Sequence, residues 1–233
     1  MITICIPVYN NYPILKRCVD AVHAYTDSPY ELIIIDDGST DKAIAEYGQA
    51  EADVFIRHEQ NVGNVVGRYE GSIIASHNYI AQLDCDTIVT PHWDVKLVQT
   101  LADDETIGAV SALLACQTGY IMSSIYKVEC EYNDDDLIDI ESLSFACMMY
   151  TKTLGITPNP GLYNHKTDRE FSFRILRAGK RLVINTKVMV YHPNWVTHDG
   201  NWVKLFPEGT REDVDNPTKR AQAERILLEE NII

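Results

Sequence analysis

Residues 1–100 alternate short β-branched apolar runs with amphipathic stretches, and no other feature narrows the fold as much. Residues 2–8, 31–35, 54–57 and 79–83 have the length and composition of strands. Between them, residues 14–25, 40–47 and 63–76 carry apolar side chains at three- and four-residue spacing, as helices packed on a sheet do. Strand and helix taking turns predicts an α/β chain with a mostly parallel, Rossmann-like central sheet flanked by helices, the architecture of nucleotide-binding domains. Ligands of such sheets bind outside the carboxyl ends of the strands. Polar side chains gather there: Pro7-Val8-Tyr9-Asn10 closes the first strand, Asp36-Asp37-Gly38-Ser39-Thr40-Asp41 the second, and Asp84-Cys85-Asp86 the fourth.

The second half is less regular. Residues 109–114, 144–150 and 181–191 read as strands, and 168–178 as a helix stopped by Gly179. Thr157-Pro158-Asn159-Pro160-Gly161 signals a loop, and 216–230 reads as an exposed helical tail. With no internal repeat or low-complexity linker, residues 1–100 and 101–233 are expected to be two lobes of one structural unit.

At 233 residues, 45% of them hydrophobic, the chain can bury one substantial core. No apolar run nears the roughly 20 residues of a membrane-spanning helix. The N-terminal residues lack the basic start of a secretory signal, so a cytoplasmic location is expected. The six cysteines include no Cys-x-x-Cys pair, and Cys5 and Cys147 fall in apolar runs, the pattern of buried free thiols. A formal charge of -14 repels nucleic acid and anionic membranes, so an anionic ligand needs a cation or a local basic group. Asp134-Asp135-Asp136 reads as a solvated loop rather than a metal site.

Neither the Gly-x-Gly-x-x-Gly of dinucleotide enzymes nor the Gly-x-x-x-x-Gly-Lys-Ser/Thr phosphate loop is present. A nucleotide binder without such a loop can hold its diphosphate through a divalent cation. Asp84-Cys85-Asp86 suits that role, because alternate residues leaving a strand can aim two carboxylates at one hard cation. The same tripeptide also serves as a plain turn or cap, and Thr90-Pro91 begins a helix-like stretch. Asp36 and Asp37 have two compatible readings: a strand-to-helix turn with Ser39 or Thr40 capping the helix, or Asp37 accepting hydrogen bonds from a base or ribose.

Taken in order, Ile4-Cys5-Ile6-Pro7-Val8-Tyr9-Asn10, Leu32-Ile33-Ile34-Ile35-Asp36-Asp37-Gly38-Ser39-Thr40-Asp41, Asn61-Val62-Gly63 with Arg68, and Leu83-Asp84-Cys85-Asp86 resemble the family 2 glycosyltransferases. The likeness continues through Thr167-Asp168-Arg169-Glu170-Phe171-Ser172-Phe173-Arg174 and Ala178-Gly179 to His192. It implies a GT-A fold with a nucleotide-sugar-binding first lobe and a smaller acceptor-binding second lobe. It also implies transfer of one sugar, with inversion, from a nucleotide sugar (UDP-sugar favoured) to a hydroxyl of a carbohydrate or glycoconjugate.

The resemblance puts Pro7, Tyr9 and Asp37 in the nucleoside pocket and Arg68 near the base or phosphates. It puts Asp86 on a Mn2+ or Mg2+ that bridges the diphosphate, and Asp84 on the ribose or a metal-bound water. His192 becomes a further metal ligand, where the alternative is an ordinary strand-end histidine. Asp168 matches the Asp of the family's Glu-Asp motif and is the expected general base, with a helix N-cap as the competing role. Two positions depart from the pattern: Thr167 stands where the motif has Glu, and Tyr69 where Asn often follows the Arg.

The chemistry needs such groups in any fold. Negative charge grows on the departing diphosphate and is stabilised by a cation, while the acceptor hydroxyl must lose its proton to a base. Trp93, Trp195 and Trp202 have faces that could stack on a pyranose. Trp93 reads equally as core, whereas Trp195, His198 and Trp202 share a polar segment expected to act as an acceptor loop. A sugar nucleotidyltransferase would carry a glycine-rich loop with Arg and Lys near the N-terminus, which residues 8–12 lack. A catalytically inactive GT-A binding module is the other alternative, and Asp86, Asp168 and His192 speak against it. The transmembrane helices and Gln-x-x-Arg-Trp motif of processive synthases are absent from the sequence, which favours single-sugar addition.

Overall fold

Ile2–Val8 (β1) is buried at every position, as a central strand covered on both faces must be. The computed structural model describes residues 1–115, 121–122, 136–164 and 166–192. After β1 the chain forms α1 (Tyr12–Tyr25), β2 (Tyr30–Asp36), α2 (Lys42–Glu51), β3 (Val54–Arg57), α3 (Asn64–Ile74), β4 (Tyr79–Leu83) and α4 (Trp93–Asp103). There follow β5 (Ile107–Ala115), β6 (Ile121–Met122), β7 (Leu137–Asp139), β8 (Cys147–Thr151), α5 (Thr167–Arg177) and β9 (Arg181–Tyr191), with short 3-10 turns at Lys152–Leu154 and Pro160–Leu162.

These strands make one sheet in the order β3-β2-β1-β4-β8-β5-β9-β7, with β6 paired to β5. The first four pair in parallel, as the alternating pattern predicts. β8 then enters antiparallel to both β4 and β5, while β9 runs parallel to β5. Successive residues of β1 point to opposite faces and so feed two cores. Ile4 and Ile6 join Leu15, Val19, Trp93 and Leu97 on one side. Cys5 joins Ile33, Ile35, Phe145, Phe171 and Ile175 on the other.

Helix α3 lies flat on this second face because Gly67 and Gly71 remove the side chains that would hold it off. A Cβ on Gly67 would come within 2.9 Å of Ile35 Cγ2, and one on Gly71 within 2.9 Å of Cys5 Sγ. That close seat carries Arg68 down to the end of β4. Trp93, fully buried, belongs to the core. The Cys5, Cys18, Cys85 and Cys147 thiols are all free, and burial raises those of Cys5 and Cys147 to about 12, so they remain protonated. Among the described residues no helix is long and apolar enough to cross a membrane.

Several boundaries differ from the sequence reading for identifiable reasons. Helix α1 starts at Tyr12 because Pro13 fits its first turn. The N-cap of α2 is Asp41, whose side chain accepts from Ala43 N at 3.0 Å; neither Ser39 nor Thr40 caps it. Their neighbourhood is held instead by Asn10, whose Oδ1 accepts from Thr40 N at 2.9 Å and Asp41 N at 3.2 Å, and whose N donates to Ser39 Oγ at 2.7 Å. Helix α5 ends in the expected left-handed Gly179 at φ +76°, with Lys180 N donating to Ile175 O and Gly179 N to Leu176 O. β8 begins only at Cys147, since residues 145–146 form a turn. Asp136 pairs with Lys187 on the surface; Asp134, Asp135 and the tail 216–230 lie outside the described residues.

Candidate active site

Asp84 and Asp86 leave β4 at the carboxyl end of the parallel strands. The turn is fixed by Asp84 N donating to Ala146 O at 3.3 Å, Thr87 Oγ1 donating to the same carbonyl at 2.7 Å, and Thr87 N donating to Asp84 O at 3.0 Å. An antiparallel bridge then ties Ile88 to Tyr191, N to O at 2.7 and 2.9 Å in the two directions. That bridge delivers His192 from the far end of the described chain. Its Nε2 sits 3.3 Å from Asp84 Oδ2 and 3.2 Å from Asp86 Oδ1. One donor atom from each of the three residues lies within 4.8 Å of the others, and all three are half-buried.

Two carboxylate oxygens and one imidazole nitrogen form a donor set that fits Mn2+ and accommodates Mg2+. The electrostatics agree with a cation position. Burial opposes charge on His192, yet hydrogen bonds from the ring to Asp84 and Asp86 raise its pKa to about 10. Burial likewise opposes the Asp84 carboxylate, but the charge of Arg68 and the contact with His192 hold it at about 2. The imidazolium thus occupies ground that a divalent cation would compete for.

Arg68 is 2% exposed and bonds Asp84 through Nη2. Its guanidinium lies 4.9 Å from the centroid of the Phe145 ring. Below it, Gln82 Nε2 donates to Ser72 Oγ at 3.1 Å and Tyr150 Oη at 3.2 Å, and the two hydroxyls are 2.7 Å apart. The sequence reading missed this buried network, because Gln82, Ser72 and Tyr150 lie on three elements and carry no local signature.

Asp168 arrives from the other side of the 145–146 turn. Its Oδ2 faces Phe145 N at 3.4 Å and its Oδ1 accepts from Thr167 Oγ1 at 3.1 Å. Burial raises its pKa, the nearby charge of Asp84 raises it further, and Arg68 only partly compensates. The competing N-cap role does not apply: the N-cap of α5 is Lys166 at φ 51°, and Asp168 lies inside the first turn. Glu170, fully buried, is paired with Arg174.

At the carboxyl ends of β1 and β2, Pro7 is buried in β1 beneath α3, and Tyr9 is half-buried just beyond it. Asp37, 3% exposed, holds the 58–63 loop. Its Oδ1 accepts from His58 Nδ1 and Val62 N, both at 2.8 Å, and its Oδ2 from Gly63 N at 2.9 Å. Gly38 and Gly63 allow this approach. Gly38 adopts φ +77° with its α-carbon face against Gln60, and Gly63 adopts φ +100° under the Tyr163 ring, where a Cβ would lie 2.2 Å from Cδ2. Gly63→Ala is therefore expected to destabilise the protein by about 1–3 kcal/mol, read as a lower denaturant midpoint at unchanged slope. A midpoint equal to that of the parent would show that the loop relaxes freely.

Asp84, Asp86, His192, Arg68 and Asp168 thus converge, with Asp37 on the same edge of the sheet at the end of β2, which β1 separates from β4. Trp195, His198 and Trp202 lie outside the described residues. Asn10 and His58 went unassigned in the sequence, although His58 comes directly after a parallel strand, where ligand-side residues belong.

Residues 3–127 match the family model "Glycosyl transferase family 2". The uncharacterized glycosyltransferase YibD of Escherichia coli K12 is 30% identical over 115 residues, covering 48% of this chain and 33% of that protein. An N-acetylglucosaminyltransferase of Azorhizobium caulinodans is 25% identical over 207 residues, covering 77% of this chain and 51% of its own. These matches span a third to a half of the curated relatives' length. The fold is similar to a crystal structure of GalNAc-T7 with UDP, GalNAc and Mn2+, at a TM-score of 0.69 and 18% identity, over 83% of this chain and 44% of that one.

Proposed function

The chain belongs to glycosyl transferase family 2 and has a GT-A fold, and from that premise we propose that it transfers a single sugar from a nucleotide sugar to an acceptor hydroxyl, with inversion and with the help of a divalent cation. UDP-sugar is the favoured donor and a carbohydrate or glycoconjugate the acceptor. The carrying observation is the gathering of Asp84, Asp86 and His192 around one point, with Asp168 close enough to feel the charge of Asp84.

Asp86 and His192 would hold Mn2+ or Mg2+, with Asp84 beside them, and the cation would offset the charge that develops on the leaving diphosphate. Arg68 balances Asp84, so that carboxylate stays ionised. Asp37, at the end of β2, would contact the base or ribose while holding Val62 N and Gly63 N. Asp168 takes the acceptor proton. Its raised pKa makes it a stronger base than a solvated aspartate. Direct attack on the anomeric carbon with no covalent sugar intermediate gives inversion.

A thermal-shift screen of UDP-, GDP- and dTDP-sugars with and without Mn2+ tests this. A donor at a hundred times its Kd should stabilise the protein by about 2.7 kcal/mol, and only with the cation present. No shift with any donor, or equal shifts in EDTA and Mn2+, would overturn the reading.

A further inference from the structure

His58 sits just past β3 at the carboxyl edge of the sheet and takes no part in the chemistry above. Its side chain is 13% exposed, with Nδ1 2.8 Å from Asp37 Oδ1 and Nε2 2.8 Å from Glu70 Oε2. A neutral imidazole has one N–H, so it can donate to only one of these carboxylates while its other nitrogen turns a lone pair on the second. Only the imidazolium satisfies both. Asp37 faces the ring from the turn after β2 and Glu70 from α3. On its own segment, Arg57 is committed to Asp36 Oδ2 at 3.1 Å and Ser39 O at 2.9 Å, and Glu59 is exposed. Burial lowers the pKa of His58, but the hydrogen bonds to Asp37 and Glu70 outweigh it and raise the value above that of a free histidine.

The bridge bears on the nucleoside end because Asp37 is its other partner. One Asp37 oxygen is shared by His58 and Val62 N, and the other accepts from Gly63 N, so the ring, the carboxylate and the 61–63 backbone form one unit. When the ring loses its proton, one of its two bonds must break. Asp37 and Glu70 are then left with no charged ring between them, and the three-part unit loses one of its links.

We propose that His58 is a positioning residue of the nucleoside site: bridged between Asp37 and Glu70, it fixes the Asp37 carboxylate and the 61–63 loop in the arrangement that binds the donor. This rests on the reading of Asp37 as a nucleoside contact.

Calorimetry with Mn2+ and the tightest of UDP, GDP and dTDP, run from about pH 6 to about pH 9 on the parent, His58→Gln and Glu70→Gln, tests the proposal. Titration of the nucleotide phosphate and of the cation site is common to all three proteins and cancels in their affinity ratios. Glu70→Gln, on the partly exposed face of α3, should bind like the parent at the acid end and begin to lose affinity about one pH unit lower. His58→Gln should bind about tenfold more weakly at the acid end, with its deficit closing as pH rises. Three parallel profiles would overturn the role of His58, and if His58→Gln does not fold, the displacement in Glu70→Gln decides. Asp37→Ala separates the two levels. Full nucleotide affinity in that variant removes Asp37 from the nucleoside site and the proposal with it, whereas lost affinity alongside parallel profiles leaves the site intact and removes only His58.

Discussion

Asp86→Ala is expected to abolish the cation dependence of nucleotide binding and to lower transfer by about 10²–10⁴, the equivalent of the several kcal/mol that a metal contributes to such a transition state. Asp86 is the informative position because it is paired only with His192 among the described residues. Removing it deletes a proposed cation ligand without stranding a buried charge. Asp84 is a poorer choice: it balances the buried guanidinium of Arg68, and leaving that charge alone costs about 3–5 kcal/mol in folding. Loss of activity in Asp84→Ala would therefore mix collapse with chemistry. For Asp86→Ala the melting temperature should stay near that of the parent, and calorimetry should give the same weak nucleotide affinity in Mn2+ and in EDTA. Parental affinity in Mn2+ together with a drop in EDTA would move the cation elsewhere.

The parallel half of the fold was legible because each of its strands is a compact apolar run and each helix repeats at helical spacing. β1, β3 and β4 have the expected bounds, and so does β9. The placement of the acidic residues was legible for a related reason: parallel strands put their carboxyl ends on one edge, so the residues after β2 and β4 lie on the same edge of the sheet. His192 reaches them through the Ile88 to Tyr191 bridge, a pairing of about a hundred residues' separation that no local pattern encodes. The resemblance supplied that residue, while the geometry supplies the reason. The start of β8 differs from its expected position because Phe145 and Ala146 are as apolar as the residues of β8 itself. Their backbone turns so that Ala146 O and Phe145 N can serve Asp84 and Asp168. The Asp37 to His58 to Glu70 chain was invisible because its members sit on three different segments, and Glu70 reads simply as the polar face of α3.

Asp168→Asn is expected to lose transfer by about 10²–10⁴ while folding and binding nucleotide and cation like the parent. The stability side follows from the sign of its pKa shift. Burial and the charge of Asp84 raise the folded-state pKa, so ionised Asp168 costs folding stability above its unfolded pKa, and that cost is absent once the carboxyl is protonated at lower pH. A neutral amide of the same shape removes the cost. It gives up a first-turn interaction with the helix dipole of only about 0.3–1 kcal/mol, and no capping bond, because Lys166 is the N-cap. A fold-neutral or slightly stabilised variant with little turnover thus isolates proton transfer. The parent's rate should rise with pH through a limb lying above the ordinary aspartate range, and that limb should vanish in the variant. Glu170 cannot stand in, since it is fully buried and held by Arg174, so residual activity cannot come from that neighbour. Turnover near that of the parent in a well-folded Asp168→Asn, or a product that retains the donor's anomeric configuration, would take the base role away from Asp168.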